Sequence, residues 1–213
     1  MTASWEAVIP MKQLQGAKSR LEALAGARRE ELALAMLLDT VAATMACEAI
    51  GGVTAVTNDA TVRREVARLG GRVADDCGRG DVNAALLHAM SELADDQRCV
   101  VILGDLPALR PLDLADVLAR AEGRSAAFVP DASGTGTTLL AQSNPRHASP
   151  CFGQGSARLH RLAGAAELQA APSVRRDVDT AEDLSDAVVL GIGPRTTWAA
   201  RDIKGLVRSQ RCA

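Results

Sequence analysis

Apolar and polar residues follow one another in blocks that predict strands and helices in turn. Short apolar runs are typical of strands, and apolar side chains three or four positions apart are typical of helices. The first strand is predicted at residues 7–10, and a long helix follows from about Arg28 to Ala46. Further strands are predicted at 53–57, 72–75 and 99–103, with helices at 60–69 and 82–93 between them.

The second half of the chain alternates less regularly. The pattern predicts helices from Pro111 to Glu122, from near Ser156 and at 181–190, and strands at 125–130, 138–142 and 174–178. Thr180 and Asp183 have the spacing of a capping box at the start of the last of these helices. The strands at 125–130 and 138–142 are joined by a turn rather than a helix, which predicts an added antiparallel edge.

Alternation of strands and helices through the first two-thirds of the chain favours an α/β fold. We expect a three-layer sandwich, in which helices cover both faces of a mostly parallel central sheet. The run Cys99–Leu103 is the most apolar strand and should be central. Without an internal repeat or a low-complexity linker, residues 1–213 are interpreted as a single domain. Residues 194–213 lack clear periodicity before Ile203, and the sequence leaves their packing open.

Composition argues against several classes of protein. A net charge of −2 and an aromatic content of 2% disfavour nucleic-acid binding, which needs basic surface and stacking platforms. No apolar run approaches the ~20 residues of a membrane span, and no signal peptide is indicated. The five cysteines have no C-x-x-C spacing, so we expect reduced thiols in the cytoplasm. The glycine motifs of P-loop NTPases and dinucleotide-binding dehydrogenases are absent.

Three aspartates are the leading candidates for chemistry. Asp105 follows the apolar strand directly, and Gly104 beside it would let a ligand approach closely. Asp177 and Asp179 are one residue apart, which places both carboxylates on one face of an extended segment. Ligands of such sheets bind beyond the carboxyl ends of the strands, where carboxylates can hold magnesium against phosphates.

Other interpretations of these aspartates remain open. Asp105 could cap a helix, although the next predicted helix begins only near Pro111. Asp177 and Asp179 could instead form ion pairs with Arg175 and Arg176.

Polar residues after two other predicted strands are candidates for nucleotide contacts. Lys12, Lys18 and Arg20 follow the first strand and would clamp a triphosphate, unless they belong to a solvated loop. Asp81 and Asn83 lie in a glycine-containing loop after the third strand. They would contact the purine or ribose, unless Asp81 is simply a helix N-cap.

Two glycine-rich segments are candidates for anion binding. Residues 134–137 offer backbone amides and the hydroxyl of Thr137, although a hairpin turn favours the same residues. Ser156 starts a helix behind Gly153, where free N–H groups attract phosphate or carboxylate, unless Ser156 is a plain cap. The three histidines have no metal-ligand spacing, and His160 is interpreted as a surface residue.

These residues belong to short motifs that are spread over nearly the whole chain. The motifs are Ile9-Pro10-Met11-Lys12, Lys18-Ser19-Arg20-Leu21, Leu103-Gly104-Asp105-Leu106-Pro107, Gly134-Thr135-Gly136-Thr137, Phe152-Gly153 with Ser156-Ala157-Arg158, and Asp177-Val178-Asp179-Thr180. As an ordered set they resemble the 2-phospho-L-lactate and phosphoenolpyruvate guanylyltransferases of coenzyme F-420 biosynthesis. Any one of them alone would not be specific.

The resemblance implies a nucleotidyltransferase fold related to the glycosyltransferase-A class. It implies Asp105, Asp177 and Asp179 as Mg²⁺ ligands, with Asp105 also catalytic. It places a phosphorylated three-carbon acid near Thr137, Gly153 and Ser156. It places Lys12, Lys18 and Arg20 on the side of the nucleotide phosphates, with Lys12 and Lys18 assisting catalysis.

The expected reaction joins GTP and phosphoenolpyruvate into enolpyruvoyl-2-diphospho-5′-guanosine and releases pyrophosphate. The alternatives are the same chemistry on 2-phospho-L-lactate or 3-phosphoglycerate, or a molybdopterin- or sugar-type nucleotidyltransferase. The last type usually has a glycine-rich loop after the first strand, which residues 11–21 lack. A non-catalytic nucleotide-binding regulator is the alternative from another class, and the three aspartates argue against it. A monomer or homodimer is expected, with no nucleic-acid or membrane partner.

Overall fold

The computed structural model describes residues 4–11, 13–16, 18, 21, 25–76, 78 and 80–203. Strands β1 to β7 are Trp5–Pro10, Ile50–Val56, Arg72–Ala74, Cys99–Ile102, Ala126–Pro130, Thr137–Gln142 and Ala166–Glu167. Helices α1 to α8 are Arg29–Met45, Ala60–Arg68, Val82–Ser91, Pro111–Ala121, Ser156–Leu162, Pro172–Arg175, Ala181–Leu190 and Pro194–Ala200. No helix among these residues is long and apolar enough to cross a membrane.

The strands form one sheet in the order β3-β2-β1-β4-β6-β5-β7. Strand β4 is central, as predicted, and all four of its residues are buried. Strand β6 runs antiparallel to β4 and β5, whereas the other neighbouring strands pair in parallel. The predicted antiparallel edge is therefore wrong, because β6 lies inside the sheet. The sequence indicates that β5 and β6 form a hairpin, but not which of the two faces the centre.

Helices cover both faces of the sheet, which confirms the predicted three-layer α/β architecture. Successive residues of β4 point to opposite faces, as in any strand. Val100 and Ile102 pack in a cluster with residues of α1 and α4. Cys99 and Val101 pack in a second cluster with residues of α3 and α5. The aliphatic composition of the chain thus fills a core on each side of the sheet.

The strand predicted at residues 174–178 is wrong. Pro172–Arg175 forms the short helix α6, with proline in its first turn, where the lack of an N–H costs nothing. Asp177 and Asp179 follow it in a loop. Val178 between them is fully buried in a third cluster, formed by α1, α7 and α8. Burial of Val178 leaves its two acidic neighbours on the opposite side of the loop.

The segment after Gly191, whose packing the sequence left open, packs on helix α1. Asp39 of α1 is buried, and its carboxylate accepts the backbone N–H groups of Arg195 at 3.2 Å and Thr196 at 2.7 Å. A Cβ at Gly193 would lie 2.6 Å from Asp39 Oδ2, so the chain passes too close for a side chain. Asp39 therefore acts as a cap for helix α8 from outside that helix. The remaining tail, residues 204–213, lies outside the described residues.

Candidate active site

The carboxyl end of β4 and the start of β6 meet at the same end of the strands of the sheet. The backbone N–H of Leu103 donates to the carbonyl of Thr138 at 2.9 Å, which places Asp105, in the turn after β4, near Thr137 at the start of β6. Gly104 is buried, and a Cβ there would lie 2.7 Å from Leu37 Cδ1. A side chain at residue 104 would crowd Leu37, so glycine allows the turn after β4 to pack closely on α1. The close ligand approach that the sequence indicated stays a prediction.

Two of the three predicted aspartates share one ammonium group. Lys18 Nζ forms ion pairs with Asp105 Oδ2 and with Asp179 Oδ1, the latter at 2.7 Å. The Lys18 side chain is only 12% exposed, whereas that of Asp179 is 51% exposed. Burial by itself lowers the pKa of Lys18, but the two carboxylates raise it overall, so Lys18 stays charged. Lys18, predicted on the nucleotide-phosphate side, therefore contacts the acidic cluster, which consists of Asp105, Asp177 and Asp179.

The backbone of Lys18 has an unusual conformation. Its φ of +54° is the only positive φ of a non-glycine residue among those described. Left-handed backbone is uncommon for a residue with a Cβ, and it often occurs at functional sites. The loop is also anchored at Leu14, whose N–H donates to Asp59 Oδ2 at 3.0 Å. The flanking candidates Lys12 and Arg20 lie outside the described residues.

Asp177 joins the same acidic cluster. Burial, followed by repulsion from Asp105, Asp179 and Asp131, raises the pKa of Asp177 to about 7, although Lys18 acts in the opposite direction. The three predicted aspartates therefore lie close enough to interact electrostatically. A further positive charge beside Asp177 would lower this pKa and stabilise the cluster.

The acidic cluster has some of the properties of a cation site. Asp105 Oδ1 is buried and has no hydrogen-bond partner among the described residues. Carboxylate oxygens are the ligands that Mg²⁺ prefers. However, within the described part of the chain no three acidic, histidine or cysteine side chains are grouped as metal ligands. In this arrangement the ammonium of Lys18 is the cation that contacts Asp105 and Asp179.

Asp131 is a fourth carboxylate at this end of the strands, and it was not among the residues predicted from the sequence. It follows β5 directly, and Asp105 comes shortly after β4; this position after an apolar run was the signal that could have identified Asp131. Its carboxylate accepts the N–H groups of Thr135 at 3.0 Å and Gly136 at 2.9 Å. Asp131 therefore shapes the loop that leads to Thr137.

The two arginines before Asp177 do not pair with the predicted aspartates. Arg175 donates to the backbone carbonyl of Asp131 at 2.8 Å. Arg176 forms ion pairs with Asp183 at 3.0 Å and Asp186 at 3.1 Å. The alternative in which Arg175 and Arg176 neutralise Asp177 and Asp179 is therefore wrong. Thr180 and Asp183 form the predicted capping box at the start of α7.

The residues predicted to bind the acid come from neighbouring elements. Thr137 begins β6 and Ser156 begins α5, and both are buried. The N–H of Ala157 donates to the carbonyl of Thr135 at 3.2 Å, which joins the start of α5 to the loop before β6. Gly153 is exposed and has a φ of +133°, a conformation that favours glycine. Acid binding by these three residues stays a prediction.

His160 is not the surface residue that was predicted, because it is 1% exposed. Its Nδ1 lies 2.9 Å from Thr137 Oγ1, and its Nε2 accepts the N–H of Cys151 at 3.0 Å. Burial lowers the pKa of His160 to about 4, so the ring is neutral at pH 7. His160 thus links β6 to the segment before Gly153.

Asn83 and Asp81 both have structural partners. Asp81 caps helix α3, with Oδ1 accepting the N–H of Asn83 at 2.9 Å, which confirms the cap interpretation. The side chain of Asn83 exchanges two hydrogen bonds with the backbone of Phe152, at 2.7 Å and 2.9 Å. Both polar atoms of the Asn83 side chain, Oδ1 and Nδ2, therefore contact the backbone just before Gly153. Nucleotide contacts by Asp81 and Asn83 stay predictions.

Comparison with known proteins places the chain among nucleotide-transferring enzymes. A family model described as "Guanylyl transferase CofC like" matches residues 5–212. The chain belongs to this family. The phosphoenolpyruvate guanylyltransferase of Streptomyces coelicolor is 50% identical to this CofC-like protein over 203 residues, covering 92% of this chain and 95% of the relative. An enzyme of the same name from Streptosporangium roseum is 39% identical over 209 residues, covering 96% and 94%.

Solved structures support the fold of the CofC-like chain. A putative nucleotide-diphospho-sugar transferase from Desulfovibrio desulfuricans G20 superposes with a TM-score of 0.70 at 18% identity, covering 97% of this chain and 98% of that one. A nucleotidyl transferase from Methanothermobacter thermautotroptrophicus gives a TM-score of 0.65 at 19% identity, covering 88% and 97%. At such identities the likeness concerns the fold alone, and the predicted nucleotidyltransferase fold is confirmed.

Proposed function

We propose that this CofC-like guanylyl transferase joins GTP and phosphoenolpyruvate. The products are enolpyruvoyl-2-diphospho-5′-guanosine and pyrophosphate, in a cytoplasmic step of coenzyme F-420 biosynthesis. The observation that carries the proposal is the ammonium of Lys18. It is held between Asp105 and Asp179, at the end of the strands where Thr137 begins β6. The names of the relatives support phosphoenolpyruvate as the acid.

The proposed reaction needs no general base. A phosphate oxygen of phosphoenolpyruvate attacks the α-phosphorus of GTP, and the bond to the β-phosphate oxygen breaks to release pyrophosphate. The attacking oxygen is already anionic at neutral pH. A buried, neutral His160 is consistent with this chemistry, because both ring nitrogens are occupied by Thr137 and Cys151.

The principal barrier is repulsion between two polyanions. Two like charges about 4 Å apart repel by about 4 kcal/mol at an effective dielectric constant of 20. Lys18 carries a positive charge that its two carboxylate partners stabilise. A cation at this position would offset part of the repulsion and steady the departing pyrophosphate. We include Lys12 and Arg20 in the same role on sequence grounds.

Asp105, Asp177 and Asp179 are the residues that we propose as Mg²⁺ ligands. The unpartnered Asp105 Oδ1 and the repulsion that raises the pKa of Asp177 fit a divalent cation here. When bound, Mg²⁺ would neutralise phosphate charge and align the reacting oxygens. Lys18 would then exchange its carboxylate partners for phosphate oxygens.

For the acid, we propose contacts from Thr137, Gly153 and Ser156. Thr137 contributes a hydroxyl, and Gly153 lets the ligand approach the backbone because it carries no side chain. This acid site and the acidic cluster are adjacent, because Thr137 begins β6 and Asp105 lies in the turn after β4, which pairs with β6. The acid's phosphate would therefore approach the nucleotide from the β6 side.

The decisive experiment measures pyrophosphate release by the purified protein. GTP is combined in turn with phosphoenolpyruvate, 2-phospho-L-lactate and 3-phosphoglycerate, each with Mg²⁺ and with EDTA. We expect Mg²⁺-dependent release that is fastest with phosphoenolpyruvate, and much slower release when ATP replaces GTP. Preference for another acid would change the substrate assignment. If no acid gave pyrophosphate release, the proposed activity would be refuted. Release in the presence of EDTA would refute the proposed Mg²⁺ requirement.

A further inference from the structure

We propose that His160 is a positioning residue of the acid site, which fixes Thr137 as a hydrogen-bond donor toward the bound acid. Together with Asn83, it also holds the backbone of Cys151 and Phe152, which leads into Gly153. The inference rests on the proposed function, because it takes Thr137 and Gly153 as contacts of the phosphorylated acid.

The hydrogen-bond partners of His160 determine its tautomer. The N–H of Cys151 can only donate, so His160 Nε2, 3.0 Å away, must accept and carry no proton. The neutral ring therefore carries its proton on Nδ1, which donates to Thr137 Oγ1 at 2.9 Å. Thr137 Oγ1 is then an acceptor toward His160, and its own hydrogen is directed elsewhere. An anionic oxygen of the acid is a suitable acceptor for that hydrogen.

Packing keeps the ring in this orientation. The His160 ring makes an edge contact with Phe152, with centroids 5.2 Å apart, and a tilted contact with Phe128 at 5.8 Å. Burial disfavours a second proton on the ring, because a charged imidazolium would lose its hydration. Because both nitrogens are occupied, the ring cannot flip without breaking both hydrogen bonds.

Asn83 gives independent support for the same function. Its Oδ1 accepts the N–H of Phe152 at 2.7 Å, and its Nδ2 donates to the carbonyl of Phe152 at 2.9 Å. The backbone just before Gly153 is therefore held by one side chain from α3 and by another from α5. A phosphate-binding loop gains affinity when its amides are ordered before the ligand arrives.

The tautomer can be tested without any assay of activity. Long-range ¹H–¹⁵N spectra of ¹⁵N-histidine protein report which ring nitrogen is protonated, and the His160→Gln variant assigns the signal. We expect a neutral ring with the proton on Nδ1 throughout pH 6 to 8. A proton on Nε2, or an imidazolium at pH 6, would refute the proposed donor role of Thr137.

Kinetics test the positioning role through two matched variants. His160→Gln retains one donor and one acceptor on two atoms bonded to the same carbon, whereas His160→Phe retains the ring packing and removes both hydrogen bonds. With His160→Phe we expect a rise of about tenfold or more in the KM of phosphoenolpyruvate and little change in that of GTP. His160→Gln should restore most of the loss.

The double variant Thr137→Val/His160→Phe separates positioning from general stability. If His160 acts through the hydroxyl of Thr137, the double variant raises the KM of the acid scarcely more than Thr137→Val alone. Independent, multiplicative effects would refute the inference, as would equal loss with Gln and Phe. If the wild-type protein releases no pyrophosphate, the proposed function fails, and the spectra still decide the geometry of His160.

Discussion

The backbone N–H of Val178 donates a hydrogen bond to the backbone carbonyl of Asp105 at 3.1 Å. This bond joins the loop after β4 to the loop that carries Asp177 and Asp179. The side chain of Val178 is buried, and its acidic neighbours consequently face the side on which Lys18 lies. The spacing of the two aspartates thus has the effect predicted from the sequence, although the segment is not a strand.

Replacement of the two Lys18 partners should abolish activity and preserve the fold. For Asp105→Asn and Asp179→Asn we expect turnover to fall by at least about a hundredfold, because each change removes a proposed Mg²⁺ ligand and a carboxylate partner of Lys18. Pyrophosphate release and thermal unfolding would be measured together. Asp116→Asn is the control, since Asp116 is exposed on α4 and pairs with Arg120 there. Near-normal turnover in both variants would exclude Asp105 and Asp179 from the reaction.

Asp177 should make metal-free stability depend on pH. Its pKa is about 7 in the folded protein and near 3.8 when unperturbed. Between these values the folded state holds more protons than the unfolded chain, so this residue's contribution to stability is lost as pH rises toward 7. Asp177→Asn removes that loss. In EDTA we expect the free energy of unfolding of Asp177→Asn to exceed that of wild type by an amount that grows between pH 4 and 7. The difference should reach at least about 1 kcal/mol at pH 8.

Urea unfolding at several pH values would measure this effect. Asp116→Asn again serves as the control, and its difference from wild type should not grow over the same range. If Asp177→Asn were more stable than wild type by the same amount at every pH from 4 to 8, the raised pKa of Asp177 would be contradicted.

Asp39→Ala should destabilise the protein without a direct effect on the acid site. The change leaves the backbone N–H groups of Arg195 and Thr196 without their acceptor where α8 meets α1. We expect a loss of about 1–3 kcal/mol in the free energy of unfolding. Asp39→Asn, which keeps an acceptor oxygen, should lose less. Chemical denaturation would measure both, and equal stability of Asp39→Ala and wild type would contradict the capping role.

Asn83→Ala distinguishes support of the acid site by Asn83 from the nucleotide contact that the sequence predicted for it. The structure joins Asn83 to Phe152, so we expect a higher KM for phosphoenolpyruvate, by several-fold to about tenfold, with that of GTP little changed. Initial rates with each substrate varied in turn would measure it. A selective rise in the KM of GTP would instead support the nucleotide contact predicted from the sequence.

Local pattern alone predicted most of the fold. Apolar periodicity placed β1, β4 and α1, and side-chain chemistry identified the caps Asp81 and Thr180. These features depend on interactions between residues near in the chain, so a single sequence contains them. The short helix at Pro172–Arg175 was missed because the alternation of polar and apolar residues there resembles a strand.

The sequence by itself identified Asp105, which comes after the apolar run of β4, and the closely spaced pair Asp177 and Asp179. Only the tertiary structure decided that Lys18 lies between Asp105 and Asp179, that Asp131 joins them, and that His160 is buried against Thr137. The reason is physical. A strand end is recognisable from its own neighbours, whereas an ion pair or a buried imidazole depends on segments brought together when the sheet forms and both its faces are covered.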